Sequence, residues 1–310
     1  MIPNGILLVD KPEGITSHDV VNEVRKKLCV RKVGHAGTLD PFATGLLIIG
    51  VGNGTRVLEY LMNHEKVYRV KMRLGIITET FDITGEIVEK RPVNVTESQI
   101  IEVLKSFTGT YKQVPPAYSA RKYKGEKLYE LARKGKIIRL PPREVTVYEI
   151  KDISVEGCDI SFTAKVSPGT YIRSLCMDVG YALNCGAVAV ELRRLSTGSF
   201  SVDEAIDVFK IDELEILKHL RKLSSILDFP KVILKREALG KAFNGAKIKV
   251  SDIEKFEEFE KNSLVQVIFS NELICIARTE RKSSFIRTLM KKEADENLLK
   301  PLKVFRGNLT

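Results

Sequence analysis

The 310 residues contain no tryptophan, and glutamine occurs only at Gln99, Gln113 and Gln266, while lysine and glutamate abound. That tilt suits a heat-adapted source. Cysteine is sparse and scattered: Cys29, Cys158, Cys176, Cys185 and Cys275 form no CxxC pair and have no histidine at ligand spacing. This excludes a zinc ribbon and a disulfide framework, and reduced thiols in a cytosolic protein are expected. No apolar run approaches the roughly 18 residues that span a bilayer. The N-terminal run Ile6 to Val9 is too short for a secretory leader, so a soluble, cytoplasmic chain is expected. No glycine loop ends in Gly-Lys-Ser/Thr, which excludes a triphosphate loop. Gly50-Val51-Gly52-Asn53-Gly54 lacks the third glycine of a dinucleotide fingerprint and reads as a tight strand-to-helix turn.

What is present is a surplus of positive charge. The net charge is +10 with a pI near 9.2, which favours an anionic partner, nucleic acid before membrane. Apolar residues at 44% and charged residues at 29% are ordinary for a globular protein. The length predicts one sizeable core plus a smaller unit. Near Asp228-Phe229-Pro230 the pattern changes. Residues 231–310 hold 17 Lys+Arg against 11 Asp+Glu, so most of the excess lies in the last quarter. Its apolar runs are short and strand-like, with a small helix around Arg236 to Phe243. The expected organisation is a larger α+β domain over 1–230 and a small basic β-rich module over 231–310.

The stretch that organises the rest is Gly34-His35-Ala36-Gly37-Thr38-Leu39-Asp40-Pro41-Phe42-Ala43-Thr44-Gly45. Glycine permits positive φ, while Pro41 fixes its own φ and pushes Asp40 towards an extended conformation. A stiff loop is expected, holding Asp40 and His35, tethered to a buried strand Leu46-Leu47-Ile48-Ile49. A structural Asp-Pro turn explains these twelve residues equally well. Before the loop, Gly5 to Asp10 reads as a buried strand. Thr16 or Ser17 can cap a helix whose apolar face is Val20, Val21, Val24 and Leu28. After it, Thr55 can cap a short helix carrying Val57, Leu58 and Leu61. Lys66 to Leu74 alternates with period two, placing Tyr68 on the inner face with Val70, Met72 and Leu74; a core tyrosine is the plain alternative.

A polar loop over Thr78 to Gly85 and a Thr96–Gln99 capping box follow. Residues 115–144, bounded by Pro115-Pro116 and Pro141-Pro142, differ from their surroundings. Nine basic residues lie between Arg121 and Arg143, against Glu126 and Glu130 alone, with Tyr118, Tyr123 and Tyr129 interleaved. Either this is a solvated face, or it is an arm that neutralises phosphates and offers rings for stacking. Strands over Val145 to Ile150 and Ile160 to Val166 lead to Ser167-Pro168-Gly169-Thr170, which opens a helix from Tyr171 to about Leu183. Arg173 then falls in the first turn, where the helix dipole disfavours a cation, so a nearby anion is expected.

The loop around Asp40 resembles the catalytic motif of the TruB family of pseudouridine synthases. Asp10-Lys11-Pro12, Lys66-Val67-Tyr68-Arg69-Val70, Gly169-Thr170-Tyr171-Ile172-Arg173 and Leu192-Arg193-Arg194 resemble the family's other motifs, in order along the whole chain. The resemblance implies an α+β pseudouridine-synthase fold with a mixed, mainly antiparallel sheet. It also implies a C-terminal PUA domain over 231–310, matched more by position and composition than by motif. The implied activity is isomerisation of a uridine in the TΨC loop of tRNA, uridine 55 in the family, needing neither cofactor nor metal.

The resemblance further assigns Asp40 as the acting acid and Arg173 as the guanidinium that keeps it ionised. Whether Asp40 adds to the base, captures C1′ or removes the C2′ proton stays open. Tyr68 would stack on the extruded base, and His35 would fill the vacated stack, though a hydrogen-bonded structural histidine is the plain alternative. Leu192 would pack against uracil and Lys11 would brace the loop. Asp82 and Tyr171 are further pocket candidates, and Lys122, Lys124 and Lys127 would grip the T arm. The expected partner is tRNA, bound by a monomer with no protein partner and no membrane. Two competing readings stand beside this: a non-catalytic RNA-binding or assembly protein, and a guide-RNA-directed synthase subunit. Phe42-Ala43-Thr44 and the 115–144 insertion resemble the standalone members more closely.

Overall fold

The computed structural model describes residues 3–306 except 120, 139 and 292–294, and leaves aside the side chains at 122, 127, 129, 133, 287, 290 and 291. In chain order the strands are β1 (Gly5–Lys11), β2 (Val33–His35), β3 (Thr44–Val51), β4 (Lys66–Leu74), β5 (Ile76–Thr78) and β6 (Ile87–Lys90). Then come β7 (Gly109–Gln113), β8 (Lys122–Tyr123), β9 (Glu126–Lys127), β10 (Arg143–Glu156), β11 (Asp159–Val166), β12 (Ala187–Thr197) and β13 (Phe200–Ser201). The last quarter adds β14 (Lys231–Leu234), β15 (Ile248–Lys249), β16 (Ile253–Phe256), β17 (Leu264–Phe269), β18 (Glu272–Thr279) and β19 (Asn297–Val304).

The larger sheet runs β1-β3-β12-β4-β11-β10-β7, with β2 on β3 and β13 on β12. It is mixed and mainly antiparallel, as expected; the parallel contact is β12 with β3, at Arg193↔Thr44 and Arg194↔Gly45. That crossing seats the Asp40 loop. Gly45 has φ +100°, and a β-carbon there would stand 2.3 Å from the Arg194 carbonyl oxygen, so the two strands meet only because the residue is glycine. The turn after β3 is equally tight, with a β-carbon on Gly54 falling 2.0 Å from the Gly5 carbonyl oxygen.

β1 and β3 read as unbroken apolar runs because both their faces are covered. Leu7, Val9, Leu47 and Ile49 join the main core with Tyr68, Val70, Met72, Phe162 and Leu175. Ile6, Leu8, Leu46 and Ile48 face the other way, into a cluster shared with Leu273, Ile276 and Phe305. That cluster fastens the second sheet, β15-β19-β18-β17-β14-β16, to the first. Each fully buried Leu or Ile contributes about 1.5–3 kcal/mol by leaving water. The second sheet has its own core around Val232, Val265, Val267 and Ile286. No helix among the described residues is long and apolar enough to cross a membrane.

The caps at Thr16 and Thr96 form with their N3 partners Asp19 and Gln99. Thr55 does not cap: it lies inside a 3-10 turn, Gly52–Arg56, and its hydroxyl donates to the Gly52 carbonyl. The glycines there favour the tighter turn over an early helix start. Gly34 and His35 belong to β2 rather than to the loop, because pairing with Gly50 and Ile49 satisfies their backbone.

Candidate active site

The loop between β2 and β3 is held from three sides. Ser17 Oγ accepts from Leu39 N at 2.9 Å and donates to Leu39 O at 3.1 Å. Gly14 N donates to Pro41 O at 2.9 Å. Arg194, 1% exposed, donates Nε to Leu46 O at 2.6 Å and Nη2 to Gly37 O at 3.1 Å. Lys11, fully buried beneath the loop, donates Nζ to Pro12 O, Ile15 O and Pro41 O at 2.8, 2.8 and 3.2 Å. Burial pushes its ammonium down to about 8, against the pull of the nearby Asp40 charge. These bonds satisfy the loop's backbone without regular structure and fix where Asp40 points.

Arg173 reaches Asp40 from the first turn of the helix Ile172–Ala182. It is 4% exposed and every arm of its guanidinium is occupied. Nη2 donates to Asp40 Oδ1 at 2.9 Å and Tyr118 O at 2.8 Å, and Nη1 to Thr80 O at 2.8 Å and Asp82 Oδ2 at 3.2 Å. Nε lies 2.9 Å from Asp40 Oδ2 as an ion contact without hydrogen-bond alignment. The helix therefore begins with an arginine because two carboxylates wait for it. Asp82 does not line the cavity. It stands behind Arg173, 4% exposed, with Oδ1 accepting from Thr80 Oγ1, Thr84 N and Thr84 Oγ1.

The electrostatic balance at Asp40 differs from the expectation. Although 31% of its side chain faces the cavity, protein packs around the carboxyl. Burial outweighs the adjacent Arg173, the Asp82 charge adds to it, and the carboxyl is raised above the usual carboxylate range. Arg173 thus limits a rise rather than producing a depressed value. Burial of the carboxyl and the sharing of one guanidinium between two carboxylates explain why the pair orients Asp40 more than it acidifies it.

Asp40 opens into a cavity of about 350 Å³, lined also by Tyr68, Tyr171, Arg173 and Leu192. That volume falls in the range of about 300–1,000 Å³ typical of small-molecule sites. Tyr68 and Leu192, each 6% exposed, come from β4 and β12, which pair at Leu192↔Val70 and Arg194↔Tyr68. Tyr171 is fixed by Gln113: Tyr171 N donates to Gln113 Oε1 at 2.8 Å, and Gln113 Nε2 donates to Tyr171 O at 3.0 Å. Of the other expected residues, His35 ends β2 and Lys11 lies under the loop, both outside the cavity lining. Lys124 is exposed in the 115–144 segment, at φ 49° with Nζ 5.7 Å from the Tyr123 ring centre. The side chains of Lys122 and Lys127 lie outside the described part of the structure.

Sequence reasoning missed Gln113 as a clamp, and Lys66, Ser119, Arg143 and Arg194 as lining residues. Lys66 had a readable signal, a lysine on the buried face of an alternating strand. Its Nζ donates to Met62 O and His64 O, and burial pushes it down to about 8.

In class, this fold is that of a pseudouridylate synthase. Residues 25–172 match the model of the TruB family pseudouridylate synthase N-terminal domain, and residues 173–228 that of the tRNA pseudouridylate synthase B C-terminal domain. The chain belongs to the TruB family, and is therefore an isomerase. A Thermotoga petrophila protein named tRNA pseudouridine synthase B is 55% identical over 305 residues, covering 97% of this chain and 98% of its own. Its namesake in Thermosipho melanesiensis is 53% identical over 283 residues, 91% of this chain and 93% of that protein. Among solved structures, a chain of an H/ACA RNP bound to a substrate RNA containing 2′-deoxyuridine superposes with TM-score 0.72 at 28% identity, covering 98% of this chain and 86% of its own. A chain of the archaeal Nop10–Cbf5 complex gives TM-score 0.70 at 27% identity, covering 98% and 87%.

Proposed function

We propose that this protein isomerises uridine 55 in the TΨC loop of tRNA to pseudouridine, acting alone on a nucleotide turned out of its stack. The observation that carries the reading is the Asp40–Arg173 pair at the edge of a nucleoside-sized cavity, with Tyr68 and Leu192 on the wall. A uridine inside a folded loop reaches such a cavity only after extrusion. The reaction is redox-neutral: the N1–C1′ bond breaks, the ring turns, C5 joins C1′, and the C5 proton leaves as N1 gains one. Asp40, anchored by Arg173, supplies the carboxylate against the ribose or base. Tyr68 offers a ring for stacking, Leu192 an apolar wall, and Tyr171, clamped by Gln113, a second ring. His35 fills the vacated stack. Lys11 acts as a brace rather than a substrate contact, and Asp82 acts through Arg173.

Residues 1–230 serve as the catalytic domain, Lys122, Lys124 and Lys127 grip the T arm, and residues 231–310 act as a PUA-type RNA-binding domain. A cytoplasmic monomer needs no protein partner for this. A guide-directed reading draws support from the structural likeness to chains of H/ACA complexes. The higher identity to proteins named tRNA pseudouridine synthase B, over nearly the full chain, favours the standalone enzyme.

Incubating the lone protein with an unmodified tRNA transcript and mapping pseudouridine by position tests the proposal. Product at uridine 55 without guide or partner is expected. Product only on adding a guide RNA would establish the second reading, and binding without product would leave an RNA-binding protein.

A further inference from the structure

We propose that Arg143, Ser119 and the N-terminus of the helix Ile172–Ala182 form a phosphate-binding subsite in the cavity, which takes a phosphodiester flanking the uridine. The inference rests on the pseudouridylation reading above. Five cationic side chains line the cavity: Lys66, Arg121, Arg143, Arg173 and Arg194. Three are committed, Arg173 to two carboxylates and Lys66 and Arg194 to backbone carbonyls. Arg143 is not: it has no carboxylate partner among the described residues, and its buried Nε has no hydrogen-bond partner. Its guanidinium carbon lies 5.0 Å from the centre of the Tyr171 ring, a cation–π contact that uses none of its N–H groups. Gly169 makes this close seat available, since a β-carbon there would stand 2.8 Å from Arg143 Nη2.

Two further donors line the same cavity. Ser119 is 3% exposed, yet its buried Oγ has no partner, and a buried hydroxyl without one is costly. The 11-residue helix Ile172–Ala182 has no side-chain cap; Thr170 N and Tyr171 N are taken by Ser167 O and Gln113 Oε1, but Ile172 and Arg173 of its first turn also line the cavity. Its first N–H groups and the positive end of its dipole favour an anion. A guanidinium, a hydroxyl and a helix terminus call for an acceptor with several oxygens and negative charge, which a phosphodiester has and a base edge lacks. The subsite adjoins both Tyr171 and Arg173 in space, with Arg143 against the Tyr171 ring and Ser119 following Tyr118, whose carbonyl accepts from Arg173, so seating the phosphate sets the depth at which the nucleoside meets Asp40.

The test uses T-arm hairpin RNAs in which the phosphodiester 5′ or 3′ of the target uridine is replaced by an uncharged methylphosphonate. With the wild-type protein, one of the two replacements should lower kcat/KM about tenfold or more, the scale of a lost charge-assisted hydrogen bond. In Arg143→Gln the same replacement should cost less than about twofold, because the interaction it removes is already gone. Arg143→Lys, which keeps the charge without the fork, should recover part of the loss. Insensitivity of the wild-type protein to both replacements, or full additivity with Arg143→Gln, would overturn the subsite. The wild-type arms do not depend on any variant folding. The all-phosphate hairpin, run alongside, tests the pseudouridylation reading separately: no product from it rejects that reading, whereas product with no phosphate effect rejects the subsite alone.

Discussion

The Asp40 pocket and the tip of the 115–144 segment carry charge in opposite ways. Arg173 is almost sealed from solvent and bonded to four residues on three separate stretches of chain, Asp40, Thr80 with Asp82, and Tyr118. The tip consists of two two-residue strands and a six-residue helix, with Lys124 exposed and Lys134 paired to Glu126 at 64% and 56% side-chain exposure. Exposed pairs of that kind are worth about 0–1 kcal/mol. Bond-making demands atoms held in near-attack geometry, whereas holding a polyanion requires only charge within about 8–10 Å of screening distance. The base of the segment belongs to the first regime, since Tyr118 O accepts from Arg173 and Ser119 lines the cavity.

The largest expected effect comes from breaking the sealed side. Arg173→Met leaves Asp40 and Asp82 facing each other uncompensated, so activity should vanish and stability should fall by about 3–5 kcal/mol in chemical denaturation. Arg173→Lys keeps the charge but cannot serve four acceptors. It should lower kcat about 10²-fold while changing RNA affinity less than about threefold, an effect sized like loss of one preorganised donor; equal losses in kcat and affinity would make Arg173 a phosphate contact. Gln113→Ala unties both backbone groups of Tyr171 and should cost about tenfold in kcat/KM, with Gln113→Glu able to restore the contact to Tyr171 N but not the one to its carbonyl. On the exposed side, Lys124→Gln should weaken RNA binding a fewfold with kcat unchanged. The log–log salt slope should then fall by about 0.7–0.9, the mark of one released counterion; an unchanged slope would place the grip elsewhere.

The pH dependence sharpens the same contrast. Burial raises the Asp40 carboxyl, so the carboxylate proposed to act is present above that raised value and lost as pH falls through it. The acid limb of kcat should therefore lie above the ordinary aspartate value of about 3.9, and a limb at or below it would mean that Arg173 dominates.

Much of this was legible in the chain. The alternation of Lys66 to Leu74 placed Tyr68 on the buried face, and the odd position of Arg173 called for an anion before any partner was known. Asp40 and Arg173 were readable as a pair only through the resemblance to the TruB family, because distance along the chain conceals the contact. β12 was not readable: AVAVELRRLST mixes small and charged residues, and Arg194 is buried there only because carbonyls of Gly37 and Leu46 receive it. The role of Asp82 was equally hidden, since a polar loop of threonines looks solvated until a guanidinium closes over it. The strand Asn297–Val304 and the helix Ser283–Lys291 also escaped, their charges interrupting the apolar pattern.

The most direct measurement is single-turnover conversion of an unmodified tRNA transcript by Asp40→Asn, with RNA affinity measured on the same preparation. The account predicts wild-type affinity and a rate reduced by at least about 10³-fold, beyond the middle of the range for losing one acid–base group. Turnover near the wild-type rate would contradict it, because the carboxylate that Arg173 holds at the cavity would then have no part in the reaction.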